Sequence, residues 1–161
     1  MATWQDLQEQ RPDLAAAGRD LLYQFGVGLG FLATVRPDGG PRVHPICPIL
    51  HEQRLLAFIV PSPKLEDIRR DGRYALHCFP PADDEDAFYV TGRARVLDDP
   101  RLRTDVARQF VEERTVVEVP PPDDDQALVE LDVETVLLTS TTGHGDPEPD
   151  HTVWKASGTS P

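Results

Sequence analysis

Hydrophobic and polar residues along this chain alternate mostly with the two-residue period of β-strands. Residues 88–97 alternate in this way, residues 31–36 form a further strand-like segment, and residues 55–60 form an unbroken apolar run of strand length. Similar patterns predict further strands at residues 41–50, 74–79, 127–133, 135–139 and 151–156. Helical spacing is confined to residues 3–24, which Pro12 divides, to a short segment after Pro63, and to residues 98–114.

Short connections between these strands predict an antiparallel arrangement. The sequence PDGG at residues 37–40 is typical of a hairpin turn, and other strands follow one another closely. The pattern therefore predicts a mainly β fold, a β-barrel of six to seven antiparallel strands with peripheral helices. We expect a single domain over residues 1–161, with N-terminal helices at 1–25, core hairpins at 29–97, a helix at 98–114 and closing strands at 126–156.

Composition narrows the class of protein. The 161 residues are 39% hydrophobic and 27% charged, as in a globular domain with a real core, and no apolar run approaches the roughly 20 residues of a membrane span. The net charge of −12 argues against nucleic-acid and anionic-membrane partners, which require a positive field. No signal-peptide pattern is present, and Cys47 and Cys78 lie inside strand-like runs, so we expect a cytoplasmic protein.

The strand predicted at residues 41–50 contains three prolines, at positions 41, 45 and 48. Because proline cannot donate to a strand ladder, this strand should have one unpaired side or a bulge. Such a side is either a plain edge protected against aggregation or a place for a flat ligand. Alternation puts Arg42, His44 and Ile46 on one face of the strand.

The helix after residue 62 begins with features of an anion site. Ser62 stands at the predicted N-cap, Pro63 at the first helical position and Lys64 next to it, while Arg69, Arg70 and Arg73 follow. A helix N-terminus with free N–H groups and a nearby ammonium group can receive a phosphate. The alternative is an ordinary capped surface helix with solvated arginines.

Other candidate chemistry is weaker. The five histidines show no metal-ligand spacing, so we expect no metal site, and no catalytic acid or base is recognisable. The glycines of GVGLG at residues 26–30 precede a strand, whereas a dinucleotide fingerprint follows one. Trp154 is either a core or interface aromatic or a wall for a planar ring.

The order of these pieces resembles a known family. The hairpin ATVRPDGGPRVHPICPIL, the strand LLAFIV, the turn SPK with its helix, and GRYALHCF resemble the pyridoxamine 5'-phosphate oxidase-like family, chiefly over residues 28–97. This resemblance implies an FMN-binding split β-barrel, with FMN bound at the interface of a homodimer.

The resemblance also implies a cofactor site. Arg42, Ser62 and Lys64 match the family's phosphate-binding positions. His44 and Ile46 would lie along the flavin ring together with Ile59 and Val60. Trp154 resembles a C-terminal aromatic that the partner chain often provides.

Several positions depart from the true oxidase. The oxidase has a lysine where Cys47 stands and an arginine where Pro63 stands, and its C-terminal Arg-Leu motif is absent. We therefore expect an FMN-dependent oxidoreductase that acts on an unidentified small organic substrate. The alternatives are a reductase that uses the 8-hydroxy-5-deazaflavin coenzyme, with Arg69, Arg70 and Arg73 forming a basic groove, and a protein that binds flavin or tetrapyrrole without turnover.

Overall fold

A computed structural model describes residues 1–115 and 118–157 of the chain. Within these residues the chain forms four helices and nine strands. The helices are α1 (Trp4–Gln10), α2 (Pro12–Leu22), α3 (Pro63–Arg70) and α4 (Pro100–Glu112). The strands are β1 (Gly30–Val35), β2 (Pro41–Ile46), β3 (Ile49–His51), β4 (Arg54–Ile59), β5 (Arg73–Cys78), β6 (Ala87–Val96), β7 (Ala127–Leu131), β8 (Thr135–Ser140) and β9 (Asp150–Lys155).

All strand pairs in the sheet are antiparallel. Seven strands follow the path β2-β1-β5-β6-β7-β4-β3, and β8 and β9 extend from β6. The long strand β6 changes partner along its length, since residues 87–91 pair with β8 and residues 94–96 pair with β7. The fold predicted from the sequence, a mainly β antiparallel split barrel with peripheral helices, is confirmed.

Gly92 lies where β6 changes partner. A Cβ atom at Gly92 would come within 1.9 Å of the Asp132 carbonyl oxygen. Only glycine permits this close approach of the two backbones. The approach allows one strand to serve both halves of the barrel.

The predicted strand at residues 41–50 is two strands rather than one. β2 ends at Ile46 and β3 begins at Ile49, with Pro48 between them. β2 pairs only with β1, and β3 pairs only with β4, so they occupy the two ends of the seven-strand path. The prolines therefore mark an edge, as predicted, and they also break the strand.

The main core lies inside the barrel and under α1 and α2. Phe88 is fully buried there and meets Trp4 edge to face, with ring centroids 5.9 Å apart. A smaller apolar cluster, which includes Ile49 and Leu56, lies under α4. Leu65 and Ile68 form the buried face of α3, as their spacing predicts.

The segment that links α4 to β7 forms no regular element over residues 118–126. Its start at residues 116 and 117 and the tail at 158–161 lie outside the described residues. Cys47 and Cys78 are free thiols. In the described part of the chain, no helix combines the length and the apolar character needed to cross a membrane.

Candidate functional site

The predicted anion site begins where β4 ends and α3 starts. Ser62 occupies the N-cap with extended backbone angles, φ −169° and ψ 162°. Its side chain does not cap the helix, contrary to expectation, because its hydroxyl donates to the Val60 carbonyl at 2.8 Å. The Ser62 carbonyl instead accepts the N–H groups of Leu65 and Glu66, at 3.0 and 3.2 Å. The hydroxyl thus lies beside the helix start as a polar group.

Lys64 follows in the first turn of α3, and its side chain is partly buried. Burial lowers the pKa of its ammonium group, and the neighbouring Cys47 opposes this change. Lys64 forms no ion pair within the part of the chain that the structure describes. It is therefore a cation that a bound anion can neutralise.

A buried carboxylate, Asp67, organises the basic side chains around α3. Its side chain is 3% exposed. Its Oδ2 accepts hydrogen bonds from Thr34 Oγ1 at 2.9 Å and Arg42 Nε at 2.8 Å, and its Oδ1 accepts one from Arg70 Nη2 at 3.3 Å. Arg70 also donates to the Val35 carbonyl. Asp67 thus anchors Arg42 of β2 to α3.

This arrangement leaves positive charge on one face of α3. Lys64, Asp67 and Arg70 are three residues apart and therefore share that face. With Arg42, the group holds three cations and one carboxylate, which leaves two positive charges. Arg42 uses only Nε for its bond to Asp67, so its Nη groups have no partner among the residues described.

Asp67 and Thr34 are residues that sequence reasoning missed. The three-residue spacing of Lys64, Asp67 and Arg70 places an acid between two bases on one helix face, and this was the available signal. Spacing alone does not show that the carboxylate is buried, because the burial depends on β1 and β2 packing over it.

The other arginines near α3 do not gather at the helix start, contrary to expectation. Arg69 pairs with Glu66 at 2.8 Å, and Arg73 pairs with Asp71 at 2.7 Å. Arg69 and Arg70 lie in the last turn of an eight-residue helix. Because each residue advances a helix by about 1.5 Å, they lie well away from its N-terminus, and each arginine already has a carboxylate partner.

The four residues predicted to line the flavin ring differ in exposure. His44 is exposed on the edge strand β2, and Val60 is 47% exposed after β4. The side chains of Ile46 and Ile59 are 6% and 1% exposed and belong to the core. The two isoleucines can therefore offer backbone groups, but not side-chain contact, to a ligand on the surface.

Trp154 lies in the core of its own chain. It is 7% exposed, and its Nε1–H donates to Gln10 Oε1 at 3.2 Å. Of the two interpretations from sequence, the structure shows a core aromatic. Most of the ring is therefore covered by its own chain, and its place beside a cofactor stays a prediction.

Comparisons with known proteins place the fold in a family. A family model described as pyridoxamine 5'-phosphate oxidase matches residues 22–140. No curated protein matches the chain. Among solved structures, the chain is similar to a heme binding protein from Mycobacterium smegmatis, with a TM-score of 0.62 and 17% identity over 85% of this chain. The match spans only 57% of that protein's chain.

Two further solved structures share the fold. General stress protein 26 from Bacillus anthracis has a TM-score of 0.57 and 20% identity, over 74% of this chain and 92% of its own. A related protein of the pyridoxinephosphate oxidase family from Clostridium acetobutylicum has a TM-score of 0.57 and 11% identity, over 93% of this chain and 94% of its own. The family match over most of the chain, together with the antiparallel split barrel, shows that this chain belongs to the pyridoxamine 5'-phosphate oxidase family.

Proposed function

We propose that this protein binds FMN without a covalent bond and passes electrons or hydride to a small organic substrate. The observation that carries this proposal is the pairing of Arg42 with buried Asp67, on the face of α3 that also bears Lys64, a cation without an ion-pair partner among the described residues. These residues would hold the phosphate of FMN, and Ser62 would add a hydroxyl hydrogen bond.

The residues present fit a phosphate group. A phosphate monoester carries up to two negative charges. Lys64 has no ion-pair partner among the described residues, and the Nη groups of Arg42 remain available beside its bond to Asp67. Guanidinium and ammonium groups form charge-assisted hydrogen bonds with phosphate oxygens, and the N-terminus of α3 adds its dipole. Bound FMN would supply the redox chemistry, while the protein orients the ring and limits competing reactions. Backbone groups near Ile46 and Ile59, with His44 and Val60, would face the ring.

The proposal includes a homodimer in the cytoplasm. β2 is an edge strand beside the site, paired on one side only. The side chain of Val43 on this strand is 59% exposed, and that of Val60, which follows β4, is 47% exposed. An exposed apolar edge of this kind is typical of a surface that a partner covers. The free thiols support a reducing compartment.

A double substitution tests the phosphate site. Replacing Arg42 and Lys64 by alanine should weaken FMN binding well over tenfold, because each charge-assisted hydrogen bond contributes roughly 1.5–3 kcal/mol. Replacing Arg69 and Arg73 by alanine removes the same charge from arginines that have carboxylate partners, and serves as the matched control. FMN affinity is measured by quenching of flavin fluorescence. Equal affinity of the two double variants would exclude the phosphate site.

A second candidate function is binding of a flavin or tetrapyrrole without turnover. Similarity of fold to a heme binding protein and the lack of a recognisable catalytic acid or base favour it. The absorption spectrum of the purified protein, with mass spectrometry of any ligand released by heat, distinguishes FMN from a tetrapyrrole. Slow oxidation of the reduced flavin by every acceptor tried would favour binding without turnover.

The deazaflavin coenzyme has less support. Its acidic tail requires a basic groove, and Arg69, Arg70 and Arg73 each pair with a carboxylate. Titration with both cofactors decides between them, and tighter binding of the deazaflavin would reverse this order.

A further inference from the structure

In the part of the chain that the structure describes, no helix covers the outer side of one of the two sheets. Strands β2, β1, β5, β6, β8 and β9 pair in that order, and β6 contributes residues 87–91. Their inner side chains, such as Leu76 and Phe88, belong to the main core, as do the buried apolar residues of α1, α2 and α3. The helix α4 packs on the other sheet, against Leu56 and Leu128. We call the uncovered surface the outer face.

An apolar row runs across all six strands of the outer face. Strand pairing places the members of this row side by side: Pro45, Phe31, His77, Tyr89, Leu137 and Val153. Phe31 and Val153 are 38% and 52% exposed, and Val43 in the adjacent row is 59% exposed. Phe31 also stacks on Phe79, with ring centroids 4.4 Å apart. A contiguous exposed apolar patch of this kind is typical of an interaction surface.

The outer face carries no acidic side chain, although the chain contains 28 aspartates and glutamates. Its positions are 31, 33 and 35 of β1, 41, 43 and 45 of β2, 73, 75 and 77 of β5, 87, 89 and 91 of β6, 135, 137 and 139 of β8, and 151, 153 and 155 of β9. Arg73, which pairs with Asp71, and Lys155 are the lysine and arginine side chains among them. Two chains with a net charge of −12 repel each other wherever their acidic surfaces meet, and this face avoids that repulsion.

The size and the edges of the outer face suit a second copy of the chain. Six strands about 4.8 Å apart span about 24 Å, and strands of six residues are about 20 Å long. The projected area is therefore about 500 Å². Protruding side chains increase the accessible area toward the ~800 Å² that each partner buries in a standard interface. Pro41 and Pro45 oppose the addition of another strand along β2, which favours packing of face on face.

His77 lies in the middle of the outer face and is exposed, with Phe31 and Tyr89 beside it in the same row. Its Nδ1 lies 2.6 Å from the Cys78 carbonyl oxygen, so Nδ1 carries a proton and Nε2 receives the next one. The other titratable or charged side chains of the outer face are Arg73, Tyr89, His151 and Lys155. A second copy of this face presents the same set, which contains no carboxylate to neutralise an imidazolium.

We propose that two copies of this chain associate through the outer face, and that acid separates them by protonating His77. This inference rests on the homodimer of the proposed function and names its surface and its control. Histidine gains charge within the range from about pH 8 to about pH 5, and a charge enclosed by apolar side chains without a partner is costly. Acid also reduces the net negative charge, which by itself strengthens association. Weaker association in acid therefore identifies a group inside the interface.

Sedimentation equilibrium of the full-length protein without added FMN measures the dissociation constant of the dimer. Val153→Glu should raise this constant at least tenfold, because it places an unpaired carboxylate in the interface. Val96→Glu changes a valine that is 40% exposed and lies beyond Gly92, outside the outer face, and it should leave the constant unchanged. Both valines are exposed in the single chain, so both variants should fold. A monomeric wild-type protein throughout the micromolar range, or equal constants for the two variants, would overturn the inference.

Lowering the pH from about 8 to about 5.5 should raise the wild-type dissociation constant at least tenfold. His77→Gln should remove most of this increase, whereas His144→Gln, in a loop outside the outer face, should retain it. A wild-type constant that stays level or falls in acid would overturn the role of His77. FMN affinity is measured separately. A dimer that does not bind FMN would overturn the cofactor proposal alone, and a monomer that binds FMN would overturn this inference alone.

Discussion

Asp67→Asn is the most informative single substitution at the proposed phosphate site. The native carboxylate accepts hydrogen bonds from Thr34, Arg42 and Arg70 and donates none. Asparagine keeps one acceptor oxygen but replaces the other with an NH₂ group, which would face donors. At least one arginine would lose its partner, and the position of Arg42 would no longer be fixed.

The structure sets the size of the expected loss of stability. Removing one partner of a buried ion pair costs about 3–5 kcal/mol. Arg42 is 26% exposed and Arg70 is 40% exposed, so water can solvate the released guanidinium groups in part. We therefore expect the free energy of unfolding to fall by about 3 kcal/mol, the lower end of that range, as measured by urea denaturation.

The effect on ligand binding should depend on the phosphate. Without a fixed Arg42, FMN affinity should fall at least tenfold, since one charge-assisted hydrogen bond contributes roughly 1.5–3 kcal/mol. Riboflavin, which lacks the phosphate, should bind both proteins equally. Glu66→Gln, on the exposed side of the same helix, is the matched control. FMN affinity equal to wild type in a folded Asp67→Asn protein would refute the positioning role of Asp67.

The same carboxylate should make stability depend on pH. Burial raises the pKa of Asp67, but the hydrogen bonds from Arg42, Thr34 and Arg70 and the charge of Arg42 together hold it below its ordinary value. A group with a lowered pKa stabilises the folded state above its unfolded pKa of about 4, and that contribution disappears as the pH falls further. Wild-type protein should therefore lose stability below about pH 4, and the Asp67→Asn protein should lose less over the same range.

Two further predictions concern the core and the alkaline range. Gly18→Ala should destabilise the protein by about 1–3 kcal/mol despite alanine's higher helix propensity, because the new Cβ would lie 2.3 Å from Cζ of the fully buried Phe88. Thermal denaturation measures this loss; unchanged stability would show that the Phe88 ring can move, and adding Phe88→Leu should relieve the clash. Burial, assisted by Glu113, raises the pKa of Tyr23 to about 12. Because the unfolded phenol ionises near pH 10, stability should fall from about pH 10 upward, and Tyr23→Phe should reduce this fall. A tyrosinate absorption titration in which all three tyrosines ionise near pH 10 would contradict the assignment.

Elements that depend on local chemistry could be predicted from the sequence. Alternation and apolar runs located most of the strands, and Pro63 marked the first residue of α3, because proline fits the first helical position. The prolines of β2 indicated an edge, since a residue without an N–H cannot complete a ladder on both sides. Each of these features depends only on residues that are close together in the sequence.

Features that depend on distant contacts could not be predicted in this way. The change of partner along β6 at Gly92 depends on pairing with β7 and β8, which lie far from β6 in the sequence. The burial of Trp154 depends on α1, which precedes it by more than a hundred residues, and its partner Gln10 belongs to that helix.

The candidate phosphate site combines features set by the local sequence with features set by distant contacts. Ser62 and Lys64 are adjacent to the helix start in the sequence, and Arg42 was placed by resemblance alone. The hydrogen bond between Asp67 and Arg42, which are 25 residues apart in the sequence, connects β2 to α3. Arg69 and Arg73 pair with carboxylates and therefore do not contribute to the expected basic groove. The sequence determined which charges exist, whereas the tertiary structure decided which remain unpaired, because the neutralisation of a charge depends on distances that only packing sets.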